Sequence, residues 1–510
     1  MSYSKTLAKG MIIFMIAMVL TKILAYGYKI IVSRWLGAND FGLFALALAI
    51  ISLIASIMIS GIQLALSRYI AYHRGKKDPE KVKRIIAATL QTIIITNILA
   101  GICFWIFAES IALFFHHPEI ASLLKIFAFL MPFYSTMLTL QKIFEGFQRI
   151  ELSTATDLVL NGARILLVGA ILLTGMTIEG VSVTYVIATI FTTIIFWIIC
   201  EKSLTAFTKN MFANNAKEIQ NIVSVSWPLM ISIIVHIIMT WSDTLLLGFY
   251  RTASEVGIYN IATPTANLLT VPAVALTTVF MPLMSTLFAK KETQQMMNLY
   301  RTATRWTFLI ALPIIFAIIL FPERIINSSA GIGYIEGASV LVLLGIGVFI
   351  NAIATPANMI LLAMDKTKFM MKNSIVACIA SLGLNFYLIP KFGILGAGIA
   401  FLASSLIIAI LRMVEIKTLL KIIPLDKKIG KIVIISILAA LGTAALDLWL
   451  GTWIMMDIWR LGANIISLGI VYVGLLYIAK CFNEEDKEIM RAIVAKVIGK
   501  KEIKTSEQMP

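Results

Sequence analysis

Long apolar runs dominate the chain, separated by short polar segments. Each run nears or exceeds twenty residues, the length an α-helix needs to cross a hydrocarbon core about 30 Å thick. Fourteen runs are read: 11–35, 42–66, 85–107, 120–142, 153–174, 180–200, 226–249, 256–288, 302–322, 335–363, 371–390, 393–415, 430–450 and 460–480. Strands of a membrane barrel would instead alternate apolar and polar residues over about ten positions. The eighth and tenth runs are long enough to tilt or to extend into water. The first run follows Lys5 and Lys9, outlasts a signal-peptide core and carries no A-x-A site, so it reads as a retained helix.

The loops alternate in charge. Those after even-numbered runs are basic, as in "RYIAYHRGKKDPEKVKR" (68–84), "QKIFEGFQR" (141–149) and "KTLLKIIPLDKKIGK" (417–431). Those after odd-numbered runs, such as "GANDFG" (37–42) and "TGMTIEG" (174–180), are poor in lysine. The lysine-rich side is expected to face the cytoplasm of a cell with a multi-pass plasma-membrane protein, and both termini then lie there. Residues 482–510 include Ile489, Ile493, Val494 and Val497 at helical spacing among lysines. They predict an amphipathic helix on the inner membrane surface.

An internal repeat appears at an offset of about 215. "WLGANDFGLFALA" (35–47) aligns with "YRTASEVGIYNIA" (250–262), placing Asp40, Gly42 and Phe44 on Glu255, Gly257 and Tyr259. "IEGVSVTY" (178–185) aligns with "ILGAGIAF" (394–401), and "ASLLKIF" (121–127) with "ASVLVLL" (338–344). Each repeat holds six runs, so it is parallel, with its pseudo-twofold axis along the membrane normal. The expected fold is all-α: about fourteen transmembrane helices in two six-helix lobes around a central cavity, plus a C-terminal helix pair. The expected divisions are 1–218, 219–424, 425–481 and a tail at 482–510.

Composition sharpens this picture at two points. Of 510 residues 59% are hydrophobic and 14% charged, and the net charge is +16. In a soluble chain that charge would suggest nucleic acid. Here the lysines sit in loops on one side, so no nucleic-acid partner is expected. The four cysteines lie in or beside apolar runs with no CxxC spacing, which argues against a zinc site or a disulfide framework.

The informative residues are the charges inside the runs. Lys22, Tyr26, Lys29 and Ser33 fall at i, i+4, i+7 and i+11, one stripe of the first helix. A cation at that depth costs several kcal/mol. Lys22 and Lys29 are separated by roughly 10 Å in depth. Arg34 falls off the stripe near the outer end and is expected to snorkel to the interface. The seventh run carries His236, Thr240 and Asp243 at the same spacing, and the fifth Asp157, Asn161 and Arg164. Gln141, Lys142 and Glu145 crowd the inner end of the fourth. His116 and His117 read as a solvated outer loop.

Two readings stay open. In one, the charges pair across helices: Asp157 with Arg164 or Lys22, and Asp243 with Lys29. In the other, they line a water-filled cavity. There Lys22, Tyr26, Lys29, Asn161 and Arg164 would bind an anionic substrate. Asp243, His236 and Asp157 would carry a coupling proton or Na⁺. The excess of cations in the first lobe favours an anionic ligand. No catalytic constellation, resident metal or organic cofactor is expected.

"TKILAYGYKIIVSRWLGANDFGLFALALAI" (21–50), "WSDTLLLGFYRTASEVGIYNIATP" (241–264) and "LNFYLIPKFGILGAGIAFLASS" (384–405) together resemble a known family. The chain is similar to oligosaccharide flippases, also called polysaccharide biosynthesis or export proteins, of the multidrug/oligosaccharidyl-lipid/polysaccharide exporter superfamily. The resemblance covers roughly 10–420. It implies two six-helix lobes in a V, and movement of a polyprenyl-(di)phosphate-linked oligosaccharide from the inner to the outer leaflet by alternating access. In the related peptidoglycan-precursor flippases, span-1 cations bind the diphosphate, and Lys22 and Lys29 occupy such positions. There an extra helix pair forms a groove for the lipid tail. The expected partners are that lipid-linked oligosaccharide, membrane lipids and proteins of glycan assembly, around a monomeric flippase. A lipid II type flippase, a drug or cation exporter of the same superfamily, a membrane-embedded glycan polymerase and an assembly scaffold are the alternatives. The polymerase is disfavoured because the longest loops, about 15–35 residues, carry no DxD motif.

Overall fold

The computed structural model describes residues 2–59, 62–171, 175, 177–204, 207, 216–420, 427–450, 457–479 and 481. The expected amphipathic tail lies outside them. The described residues form α-helices and one 3₁₀ turn, with no strand among them. The first half contains α1 (Ser2–Ile59), α2 (Ile62–Gly75), α3 (Pro79–Phe114), α4 (Ile120–Ala128), α5 (Leu130–Gly146), α6 (Ile150–Ile171) and α7 (Ile178–Ser203). The second contains α8 (Ala216–Tyr250), α9 (Ala253–Asn267), α10 (Thr270–Ala289), α11 (Thr293–Leu320), α12 (Pro322–Ala330), α13 (Gly337–Ala363), α14 (Thr367–Phe392) and α15 (Ile394–Leu420). A pair, α16 (Lys427–Leu450) and α17 (Asp457–Ile478), follows.

Among the described residues, 11 helices are long and apolar enough to cross a membrane, and α4 with α5, bent by 49°, makes up to 12. The bend falls at Phe129, just before Pro132, which has no amide hydrogen to donate. Two of the fourteen sequence-read spans are not counted separately. Gly37, at φ 75°, breaks α1 where the first and second runs meet, a backbone region open to glycine at little cost. The eighth run is divided into α9 and α10 by a turn at Leu268 and Leu269. Thr252 starts α9 by accepting from the Glu255 amide, as a T-x-x-E sequence favours.

The halves meet where their chains turn at the lysine-poor face. A Cβ on Gly42 would collide with the carbonyl of Ala253, and a Cβ on Gly257 with the carbonyl of Ala38. The contact is reciprocal. Ala38 and Gly42, at i and i+4, cross Ala253 and Gly257, at i and i+4, the small-residue spacing that lets helix backbones touch. These are the residues paired by the 215-residue offset, and a twofold axis between them requires such a reciprocal contact.

The cores tell where the halves part. One cluster near the lysine-poor loops draws on both halves, with Phe41, Phe44 and Leu46 packed among Leu247, Val256 and Tyr259. Near the lysine-rich loops each half has its own core. Ile70, Val82, Phe144 and Cys200 belong to one, and Met284, Tyr300, Ile360 and Ile416 to the other. The halves thus share one core and keep separate cores near the lysine-rich loops. Along one edge α8 packs against α2.

The terminal pair is fastened to the second half. Asp447 of α16 accepts from Arg324 of α12, from Arg460 Nε of α17 at 2.9 Å and from Asn464 at 2.7 Å. The Tyr472 hydroxyl donates to the Leu309 carbonyl at 2.9 Å. Asp447→Ala leaves two half-buried guanidiniums without their carboxylate. It is expected to cost about 3 kcal/mol, the lower end for a broken buried pair. Thermal unfolding in detergent measures this, and a melting temperature equal to the parent's would show that the cluster does not fasten the pair.

Candidate functional site

Lys22 is exposed and Lys29 half-buried in the middle of the first half of α1. Arg164 projects from α6 and is 9% exposed. Its guanidinium lies 3.6 Å from the centre of the Tyr185 ring of α7, in cation–π contact. Lys29 is within electrostatic reach of both Arg164 and Lys22. The Nε of Arg164 and the hydroxyl of the adjacent Tyr28 are buried without a hydrogen-bond partner. Among the described residues no carboxylate lies within 4.0 Å of Lys22, Lys29 or Arg164.

Among the described residues the expected pairs, Asp157 with Arg164 or Lys22 and Asp243 with Lys29, do not form. Asp157, half-buried, accepts from Gln141 Nε2 at 2.8 Å rather than from Arg164 or Lys22. It stays within electrostatic reach of both cations. Asn161 uses its amide on its own helix, donating to the Asp157 carbonyl at 2.9 Å. Lys142 is bound to Glu145 at 2.8 Å. Asp243 is 8% exposed and takes 2.7 and 2.6 Å bonds from the Tyr259 hydroxyl and Asn385 Nδ2. A buried carboxylate satisfied by neutral donors needs no lysine, and Lys29 is not its partner.

The expected stripe of α8 divides. His236 and Thr240 are exposed, whereas Asp243 is buried beneath them. The Tyr26 hydroxyl bonds the Thr265 hydroxyl of α9 at 2.8 Å, so it joins the two halves. Arg34 does not snorkel. It donates to the carbonyls of Ser328 and Ser329 at the end of α12. His117 Nε2 faces the Arg251 carbonyl at 3.3 Å, so this loop residue is a contact between the halves rather than a freely solvated one.

Sequence reasoning missed Tyr28, Tyr185 and Tyr259. A tyrosine in an apolar run reads as core, and only the basic or acidic neighbour across the bundle reveals its hydroxyl or ring as part of a polar cluster. Two apolar grooves of about 270 and 490 Å³ lie elsewhere, against Trp105 and Phe129. The one charged group in their walls, Lys125, is engaged by Glu109 at 2.8 Å. They have the character of lipid-facing surface.

Two helical halves sharing a core at one face, with intramembrane cations that have no acid in contact among the described residues, define a polytopic membrane protein of transporter type. Residues 7–288 match the family described as polysaccharide biosynthesis protein, and 228–387 match MatE. The chain belongs to the polysaccharide biosynthesis protein family, flippases of the multidrug/oligosaccharidyl-lipid/polysaccharide exporter superfamily. An uncharacterized membrane protein of Methanocaldococcus jannaschii is 24% identical over 98% of this chain and 100% of its own. A probable low-salt glycan biosynthesis flippase of Haloferax volcanii, Agl15, is 24% identical over 34% of this chain and 37% of its own. The inward closed conformation of the lipid II flippase MurJ shares the fold, with a TM-score of 0.75 at 17% identity over 92% of this chain and 98% of that one.

The Asp243 cluster supplies a test of its own. Tyr259→Phe deletes one donor to a buried carboxylate and is expected to lower stability by about 1–3 kcal/mol. Denaturation of the variant measures this, and an unchanged stability would show that the phenol is dispensable to Asp243.

Proposed function

We propose that the chain moves a polyprenyl-(di)phosphate-linked oligosaccharide from the lysine-rich to the lysine-poor side of a plasma membrane, by alternating access. The lysine-rich face, with both termini, is cytoplasmic on this reading. The observation that carries it is the set of Lys22, Lys29 and Arg164, three intramembrane cations without an acid in contact. Ionisable residues within a membrane are costly and mark substrate or ion pathways. A diphosphate supplies acceptors for ammonium and guanidinium donors alike. The polyprenyl tail would remain in the bilayer while phosphate and sugars cross between the halves. The name of the Haloferax relative supports a glycan substrate. The lipid II substrate of the fold relative is the same chemical class.

Asp243, held by Tyr259 and Asn385, is the proposed site of a coupling proton or Na⁺, with the exposed His236 about two turns away on α8 and Asp157 in the other half. The MatE match over 228–387 includes Asp243. That favours one second reading, a cation-coupled drug exporter, in which this carboxylate would do the binding. The protein is proposed to act as a monomer that hands its substrate to glycan-assembly proteins, with no chemistry of its own.

The experiment is flipping of a fluorescent polyprenyl-diphosphate oligosaccharide in liposomes. Lys22→Ala/Lys29→Ala is expected to slow it at least tenfold, since one charge-assisted hydrogen bond contributes about 1.5–3 kcal/mol. Asp243→Asn is expected to remove the dependence on a proton or Na⁺ gradient. Parent-like flipping by the double lysine variant would sink the proposed binding site, and export of organic cations alone would favour the second reading.

A further inference from the structure

Arg34 is the third cation of the first apolar run and takes no part in the cluster around Arg164. Its guanidinium crosses from the first half to the second. Nε donates to the Ser329 carbonyl at 2.6 Å, and Nη2 to the Ser328 carbonyl. Both carbonyls lie in the last turn of α12, which ends at Gly331 with φ 98°. Carbonyls there have no intrahelical donor, and the helix dipole favours a cation beside them. The neighbouring Ser33 carbonyl accepts from the Tyr334 hydroxyl at 2.9 Å. Consecutive residues of α1 thus hold the second half beside the crossing of Gly42 and Gly257. On another edge of the same face, Phe249 packs against Phe114 and Phe115, and His117 meets the Arg251 carbonyl.

We propose that Arg34 is a latch that sets how long the lysine-poor face stays closed. Its bonds have one end in each half, so a conformation in which the halves part at that face must break them. The inference rests on the transport reading, because only a transporter needs that conformation. Arg34 acts through the closed state and touches no substrate. The residue is itself exposed at the rim, where solvent weakens an ionic contact. Its removal is therefore expected to raise the open population about threefold to tenfold without abolishing closure.

Spin labels report the distance across this face. They are placed by Glu119→Cys and Glu336→Cys in an otherwise cysteine-free chain, because Cys103 is exposed. Both sites are exposed, one in each half. In Arg34→Ala the long-distance component should grow by the stated factor, and in Arg34→Lys, which keeps a cation but loses the forked donor, by less. The same distribution in parent and Arg34→Ala overturns the latch, as does loss of flipping by Arg34→Ala with unchanged distances. Should Arg34→Ala fail to fold, Tyr334→Phe deletes the neighbouring bond and leaves the charge. It should shift the distances in the same direction, and an unshifted distribution again overturns the proposal. The lysine double variant separates the two readings. Slow flipping there, with parent-like distances, leaves the binding site standing whatever becomes of Arg34.

Discussion

Two glycines and two alanines hold the architecture together. Where Ala38 and Gly42 cross Ala253 and Gly257, backbone meets backbone with no room for a single added carbon. In a bilayer the hydrophobic effect does not drive helices together, because lipid tails are as apolar as leucine. Close packing and short polar contacts must do it. This crossing is a place where the halves approach to backbone contact, and it lies at the lysine-poor face. Helices that touch at one end and carry bulky side chains elsewhere diverge toward the other end. The shared core on one side and the separate cores on the other follow from that geometry.

Three intramembrane cations stand without an acid in contact among the described residues. Three carboxylates of the bundle are well supplied with donors. Asp447 gathers two arginines and an asparagine, Asp243 a tyrosine and an asparagine, Asp157 a glutamine. Against that standard Lys22, Lys29 and Arg164 stand apart. Arg164 is cushioned on the Tyr185 ring, which offers a partial negative face but no full countercharge. An arrangement selected for stability alone would add an acid, and the first half has one, Asp157, already engaged by Gln141. Among the described residues these three cations carry no acid in contact, and the proposed anionic ligand would complete them.

Much of this was legible in the chain itself. The membrane class, the spans and the cationic stripe depend on local periodicity, which sequence carries directly. The offset of about 215 also named both glycines of the crossing before their contact was known. Pairing was not legible, because it depends on which helices become neighbours. Lys29 and Asp243 are repeat-equivalent in sequence, yet Asp243 turns into its own half toward Tyr259 and Asn385. The α8 stripe failed for a related reason. Residues at i, i+4 and i+7 drift around a helix, and a nearby helix α14 covers Asp243 while His236 and Thr240 stay open. The division of the eighth run and the bend at Phe129 are tertiary responses that hydropathy does not encode.

Arg34 makes the same point at the scale of one helix. Lys22, Lys29 and Arg34 all looked like solutions to the problem of a cation in a membrane. Snorkelling was the expected answer for the outermost, since a long side chain near a helix end can usually find water. A helix terminus is a stronger competitor, because its last carbonyls lack donors in any environment and concentrate partial negative charge. Whether such a terminus lies within reach is decided by a segment almost three hundred residues away, which the crossing of Gly42 and Gly257 brings alongside. The three cations of one apolar run are thus sorted by their neighbours: Lys22 and Lys29 lie within electrostatic reach of each other, and Lys29 also of Arg164, while Arg34 meets the end of α12. The charge on a residue states what it can do, and the partner that the fold sets before it decides which of those things it does.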